Sequence, residues 1–167
     1  MTVSADDALI DSVRHYLSQI SSVLHELSKH PRADALLETA IAPDMFNTGL
    51  NFAVGIQFAA RALCLPASMS LPEFPETFSC AQLRLFCDEV SALIAPISGS
   101  AFSKEVMHQA GEGNLTQDSF DYLARFALPN MIFHFTMAYA GLRSAGYEIG
   151  KSDFDGLHVY DKANSKH

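Results

Sequence analysis

The sequence predicts an all-α fold: a four-helix bundle with a small β-hairpin inserted before the last helix. Three observations carry this prediction. Apolar residues recur at steps of three and four over four long segments, which is the periodicity of one helix face. Two uncharged runs, Met45–Ala60 and Phe126–Leu142, are typical of buried helices. With 167 residues and a hydrophobic fraction of 49%, the chain can build the core of a single domain.

The first long helix is expected over Asp7–Lys29. Its predicted buried face consists of Ile10, Val13, Leu17, Ile20, Leu24 and Leu27. Pro31 ends this helix, because proline lacks the N–H that the next turn would need. One short helical turn is expected afterwards, over Arg32–Thr39.

The second long helix is predicted over Met45–Leu63. Apolar residues lie around most of its circumference, which indicates burial on all sides. Gly49 and Gly55 inside it indicate close approach of a neighbouring helix, because glycine carries no side chain. The proline-rich segment Leu65–Phe78 that follows is predicted to be a loop.

Ser79 and Gln82 have the spacing of a capping box and predict a third long helix that ends near Ile94. The segments Lys104–Gln109 and Asn114–Gln117 flank a glycine-containing turn, which predicts the hairpin.

The last long helix is expected to begin at a cap, Asp118 or Ser119, and to end near Ser144. Pro129 should kink or restart it. Its phenylalanines, including Phe133, are expected in the core.

The remaining segment, 147–167, shows no periodic pattern. We therefore expect one helical-bundle domain over 1–156 and a polar C-terminal tail over 157–167.

Charge and cysteine content exclude several classes of protein. A formal net charge of −8 opposes binding to nucleic acid or to an anionic membrane surface. Neither uncharged run reaches the roughly 20 residues of a membrane span. Acidic residues stand at the N-terminus where a secretion signal would need basic ones. The odd set Cys64, Cys80 and Cys87 fits buried thiols in a reducing compartment, so a cytoplasmic location is expected.

Polar residues inside the two uncharged helices are the candidate functional groups. Asn47 and Asn51 are four residues apart and share a helix face, as do Asn130 and His134. Gln57 lies in the same helix as the first pair. These groups either bond to each other and fix how the helices pair, or line an inter-helix pocket of the kind that bundles use for ligands.

The chain resembles a known family in two blocks. These are Ala-Pro-Asp-Met-Phe within 41–46, and Phe-Ala-Leu-Pro-Asn with the Gly-Lys-x-Asp-Phe-x-Gly ending within 126–156. The resemblance is to an uncharacterised domain-of-unknown-function family grouped with the DinB/YfiT-like helical bundles. It implies a four-helix bundle, often dimeric, with a cleft between helices.

The resemblance also implies where a metal would lie. Related branches of the superfamily, metal-dependent thiol transferases and a thiol-dependent isomerase, hold a metal with one histidine on the second helix and a His-x-x-x-His pair on the last. Here His134 matches the second member of that pair, Asn130 stands at the first, and the second helix offers Asn51 and Gln57. Since neutral amides hold Zn²⁺ or Ni²⁺ poorly, a divalent metal is disfavoured.

The leading hypothesis is a cytoplasmic homodimer that binds a small molecule in a pocket lined by Asn51, Asn130 and His134, with Asn47 and Gln57 nearby. His134 would serve as acid or base, or as a lone metal contact. One alternative is a non-catalytic structural or interaction dimer. Another is a metal-dependent transferase that recruits an unexpected ligand such as His15.

Overall fold

A computed structural model describes residues 5–159 as a helical bundle with one β-hairpin, which confirms the predicted fold class. In chain order the elements are α1 (Ala5–Leu27), α2 (Ala33–Leu37), α3 (Thr48–Cys64), α4 (Cys80–Ile94), a 3₁₀ turn (Gly99–Ala101), β1 (Glu105–Ala110), β2 (Gly113–Asp118), α5 (Ser119–Tyr122), a π-helical turn (Leu123–Ala127), α6 (Leu128–Ser144) and α7 (Lys151–Asp155). The four long helices α1, α3, α4 and α6 enclose one apolar core. Among the described residues, no helix is both long and apolar enough to cross a membrane.

The predicted face of α1 is the buried one. Its six apolar residues are at most 2% exposed, and the helix ends four residues before Pro31. Helix α4 begins as predicted, because the Ser79 hydroxyl accepts a hydrogen bond from the Gln82 backbone N–H at 3.3 Å. Local capping and periodicity thus place both helices.

Helix α3 begins at Thr48, three residues later than predicted. Asn47 caps it, and its side-chain oxygen accepts a hydrogen bond from the Leu50 N–H at 2.8 Å. Met45 and Phe46 therefore lie outside the helix and are 38% and 53% exposed. The uncharged run begins at Met45 and so suggested an earlier helix start, whereas the Asn47 cap makes the helix begin at Thr48.

Helices α3 and α6 pack closely because small residues line their contact. A Cβ added to Gly55 would lie 3.6 Å from the Phe135 backbone nitrogen, and one added to Gly141 would lie 2.2 Å from Thr48 Oγ1. Gly49 instead faces a loop, since its Cβ would meet Phe78 at 2.9 Å. The expected close helix approach is thus correct for Gly55 and wrong for Gly49.

The hairpin forms where it was predicted, as an antiparallel pair in which His108 stands opposite Leu115. The Asp118 carboxylate then caps α5, accepting from the backbone N–H groups of Phe120 and Asp121. The predicted disturbance at Pro129 takes the form of the π-helical turn before α6. Proline lacks the N–H that would continue the regular ladder through this region.

The first part of the segment 147–167 packs against the bundle, although its sequence shows no periodic pattern. Ile149 is buried, and the short helix α7 places the Phe154 ring 4.5 Å from that of Phe135. A five-residue helix is too short to show periodicity, so packing against the core decides its position. Of the tail predicted over 157–167, residues 160–167 lie outside the described part of the chain.

Candidate functional site

Helices α3 and α6 bring two of the predicted site residues into contact. The His134 Nδ1 lies 3.0 Å from the Asn51 Oδ1, although the two residues are 83 positions apart in the chain. Asn51 is 4% exposed, and His134 is half-buried at the edge of the bundle. Polar side chains of the two helices therefore meet at this pair.

The surrounding hydrogen bonds decide which His134 nitrogen carries the proton. The Asn51 Nδ2 donates to the backbone carbonyls of Phe46 at 3.1 Å and Asn47 at 3.0 Å. This orientation leaves the Asn51 Oδ1 as an acceptor, so the His134 Nδ1 must donate. In the neutral ring the Nε2 then holds a lone pair. No residue in the described part of the chain gives this Nε2 a hydrogen bond.

Aromatic rings enclose the imidazole of His134. The Phe46 and Phe58 rings lie nearly parallel to it, with centroids at 6.2 and 6.0 Å, and Phe133 meets it edge-on at 5.1 Å. Phe133 is 56% exposed, so its predicted place in the core is wrong. It lies on the solvent side of α6, where together with Phe46 it forms an exposed aromatic rim beside the imidazole.

Burial lowers the pKa of His134 below its usual value, because the partly apolar surroundings disfavour the charged ring. At neutral pH the ring is therefore neutral, with its Nε2 available as a hydrogen-bond acceptor or proton acceptor.

The other predicted pocket residues have different local roles. Asn47 caps α3, and the Asn130 Nδ2 donates to the Phe126 carbonyl at 2.7 Å in the preceding turn. The Gln57 Oε1 is buried and has no hydrogen-bond partner within residues 5–159. Among these five described residues, Asn51 and His134 form the one hydrogen bond that joins two side chains. The backbone carbonyl of Asn47 accepts a hydrogen bond from the Asn51 side chain.

The donors around His134 do not fit a divalent transition metal. One imidazole stands among neutral amides, whereas zinc sites use three or four His, Cys or carboxylate ligands. Across the described residues, no group of three or more His, Cys, Asp or Glu is placed to hold a metal ion. His15 is engaged elsewhere, since its Nε2 donates to the Asp155 carbonyl at 2.7 Å.

The site lies apart from three of the surface clefts. Three open clefts of about 350, 420 and 380 Å³ lie along α1 and beside the proline-rich loop, and His134 lines none of them. The candidate site is therefore distinguished by its hydrogen bonding and aromatic surroundings rather than by volume.

Sequence reasoning missed the aromatic enclosure. Phe58 is seven residues after Asn51 and lies on the same face of α3, so helical spacing alone could have associated the two. Phe46 carries no such signal, because it reaches the imidazole from a loop.

Comparison with known proteins agrees with this architecture. A crystal structure of a DinB family member protein from Shewanella denitrificans superposes with a TM-score of 0.76 and 21% sequence identity, over 91% of this chain and 92% of that chain. At that identity the likeness shows a DinB-like fold. Among curated proteins, no sequence relative matches this chain. A family model described as a domain of unknown function, DUF1993, matches residues 6–155, and the chain therefore belongs to that family.

Proposed function

We propose that this protein binds a small molecule at the outer edge of His134, with Nε2 accepting a hydrogen bond from the ligand. One observation carries the proposal: the Asn51 Oδ1 accepts a hydrogen bond from the His134 Nδ1–H, so the neutral imidazole keeps a lone pair on Nε2 that no described residue engages.

The surroundings define the ligand's chemistry. Phe46 and Phe133 offer exposed aromatic surface beside the imidazole, so the ligand combines an apolar or aromatic part with an O–H or N–H donor. Where the ligand is acted upon, His134 serves as the general base, since its lowered pKa keeps the ring neutral at pH 7.

A phenol probe tests this directly. Phenol carries an aromatic ring and an O–H donor, and its methyl ether lacks only the donor. In ¹⁵N NMR spectra, phenol should shift the His134 Nε2 resonance at lower concentration than the ether does. Equal responses to the two compounds would contradict the proposal. A metabolite library screened by thermal shift then searches for the natural ligand.

The matched variant is His134→Asn. The asparagine Nδ2 occupies the position of the imidazole Nδ1 and keeps the bond to Asn51, while Nε2 is lost. In this variant, which should fold, the backbone amide resonance of Phe133 reports binding, and phenol and its ether should shift that resonance at equal concentrations. His25→Asn, at an exposed position on α1, controls for the loss of an imidazole elsewhere.

We also propose a homodimer, because large apolar side chains remain exposed near the site. They are Ile41, Met45, Phe46 and Phe133. In the ligand-binding homodimer, part of this surface stays open beside His134. In the alternative, a non-catalytic interaction dimer, the second copy covers it, and phenol and its methyl ether then give the same response. Light scattering at micromolar concentration tests dimerisation, and a monomeric mass contradicts it.

A further inference from the structure

The cleft beside the proline-rich loop has an exposed apolar floor. Its volume is about 380 Å³, and it lies between the loop segment 73–76 and helix α4. Two of its large apolar side chains, Leu85 and Phe74, are 64% and 38% exposed. Because apolar side chains gain free energy when a partner removes them from water, this floor is suited to docking.

Ring contacts and prolines hold the loop side of the cleft in place. The Phe74 ring meets the rings of Phe78 and Phe86 edge-on, with centroids at 6.0 and 6.1 Å. Pro72 and Pro75 restrict the backbone on either side of Phe74, since proline fixes its own φ and favours an extended residue before it. The cleft therefore exists before a partner arrives, and little conformational entropy is lost on binding.

Three glutamates give the rim of the cleft a negative charge. Glu73 and Glu76 lie on the loop, and Glu89 lies on α4. All three are exposed, and none forms an ion pair with another described residue. Arg84, the one basic residue of α4, instead donates to the Ser28 hydroxyl at 3.3 Å. The carboxylates of the rim can therefore pair with cations of a partner.

This charge discriminates between the candidate occupants of the cleft. Nucleic acids and anionic membranes carry negative charge, which the glutamates repel. A second copy of the chain has a net charge of −8 and brings the same glutamates. A segment that carries lysine or arginine is attracted, because its charge complements that of the rim.

We infer that this cleft binds a short segment of a partner protein in which one apolar side chain stands between two basic residues. The apolar side chain packs against Leu85 and Phe74, and the basic residues pair with the glutamates of the loop and of α4. The stretch of α4 that lines the cleft, from Gln82 to Glu89, is about 10 Å long. About three residues of an extended chain span that length, so the recognised core is a basic–apolar–basic tripeptide.

A defined peptide tests the inference. In ¹⁵N-labelled protein, capped Gly-Lys-Leu-Lys-Gly should shift the backbone amide signals of Leu85 and Glu89. One control peptide has glutamine in place of both lysines, and the other has serine in place of leucine. Both controls should require higher concentrations for the same shift. Unshifted signals at millimolar peptide, or a response to either control equal to that of the lysine–leucine peptide, overturn the inference.

Variants of the rim test the role of charge. Combined Glu76→Gln and Glu89→Gln should weaken peptide binding, read at the Leu85 amide, by about two- to fivefold for each glutamate, as expected of exposed ion pairs. Glu112→Gln, in the exposed hairpin turn, is the matched control and should leave the affinity unchanged. Equal affinities in the double variant and the control overturn the inference.

The variant Leu85→Ser distinguishes a peptide from a second copy of the chain. It changes an exposed side chain, so the protein should fold. At the Glu89 amide, the preference for the leucine peptide over the serine peptide should be lost. The mass measured by light scattering should stay that of the wild type. A changed mass in this variant means that a second copy covers the cleft, and overturns the inference.

Discussion

His134 and His108 are two imidazoles in nearly the same surroundings. Each bonds through one ring nitrogen to a side-chain amide oxygen, His134 to Asn51 at 3.0 Å and His108 to Gln117 at 2.7 Å, and each lies among aromatic rings. They differ in exposure: His108 is 4% exposed, whereas His134 is half-buried at the bundle edge.

This difference in burial separates a histidine that no external ligand can reach from one that we propose binds a ligand. The second nitrogen of His108 is closed off from solvent, so no external ligand can reach it. The corresponding nitrogen of His134 lies beside exposed aromatic surface, where a ligand can reach it. In both histidines the hydrogen bond to an amide oxygen fixes the tautomer of the ring. The two differ in whether a ligand can reach the second ring nitrogen.

The largest expected effect comes from truncating each histidine to alanine. His108→Ala removes a fully packed ring and leaves the Gln117 oxygen without its donor, so the free energy of unfolding should fall by about 3–5 kcal/mol. His134→Ala should cost about 1–3 kcal/mol, because the lost ring is only half-buried and its removal leaves the buried Asn51 Oδ1 without its partner. Urea unfolding measures both, and equal losses would contradict the contrast between the two sites.

Removing the amide partner of His134 should change both the free energy of unfolding and the tautomer of the ring, and each change is measured separately. Asn51→Leu deletes the acceptor and two further hydrogen bonds, at a cost of about 2–3 kcal/mol. Without this acceptor the Nδ1–H tautomer of His134 is no longer favoured, and ¹⁵N NMR should then show both neutral tautomers in place of one. An unchanged Nδ1–H tautomer in this variant would mean that Asn51 does not set the protonation of the ring.

The pH dependence of stability should carry the signature of His134. Because burial lowers the pKa of the folded His134, the unfolded chain binds its proton more readily. The free energy of unfolding should therefore fall as the pH drops from neutral through the usual histidine pKa, and level off below the folded pKa. His134→Asn removes this contribution, so urea unfolding from pH 8 to 5 should give a flatter profile for the variant. A wild-type profile no steeper than that of the variant would refute the assignment.

The smallest effect on stability is expected on the aromatic rim. Phe133→Ser changes an exposed side chain, so it should alter the free energy of unfolding by no more than about 0.5 kcal/mol. It should nevertheless weaken phenol binding in the NMR titration. Phe135→Ala is the buried counterpart on the same helix and should cost about 3–5 kcal/mol. Undiminished phenol binding in Phe133→Ser would remove the rim from the proposed site.

Much of the helical framework is predictable because local interactions encode it. The periodic face of α1, the Ser79 cap of α4 and the hairpin turn depend on residues within a few positions of one another. The site is partly predictable in the same way, since Asn51 and His134 are polar groups in uncharged helices that must find partners.

Other parts of the site depend on contacts between distant segments. The sequence predicted Phe133 in the core and a helix through Phe46, yet both side chains are exposed beside the imidazole. Helix α7 and the buried position of His108 gave no periodic signal either. Their positions follow from packing against α1, α3 and α6.

The amino-acid sequence by itself determined which segments become helices and which polar groups those helices must bury, because caps and apolar periodicity act over a few residues. Only the tertiary structure decided that Asn51 meets His134, which nitrogen keeps its lone pair, and that His108 is enclosed. Those outcomes depend on the register and separation of α3 and α6 and on the docking of the hairpin. No spacing within a single element specifies the geometry between two elements.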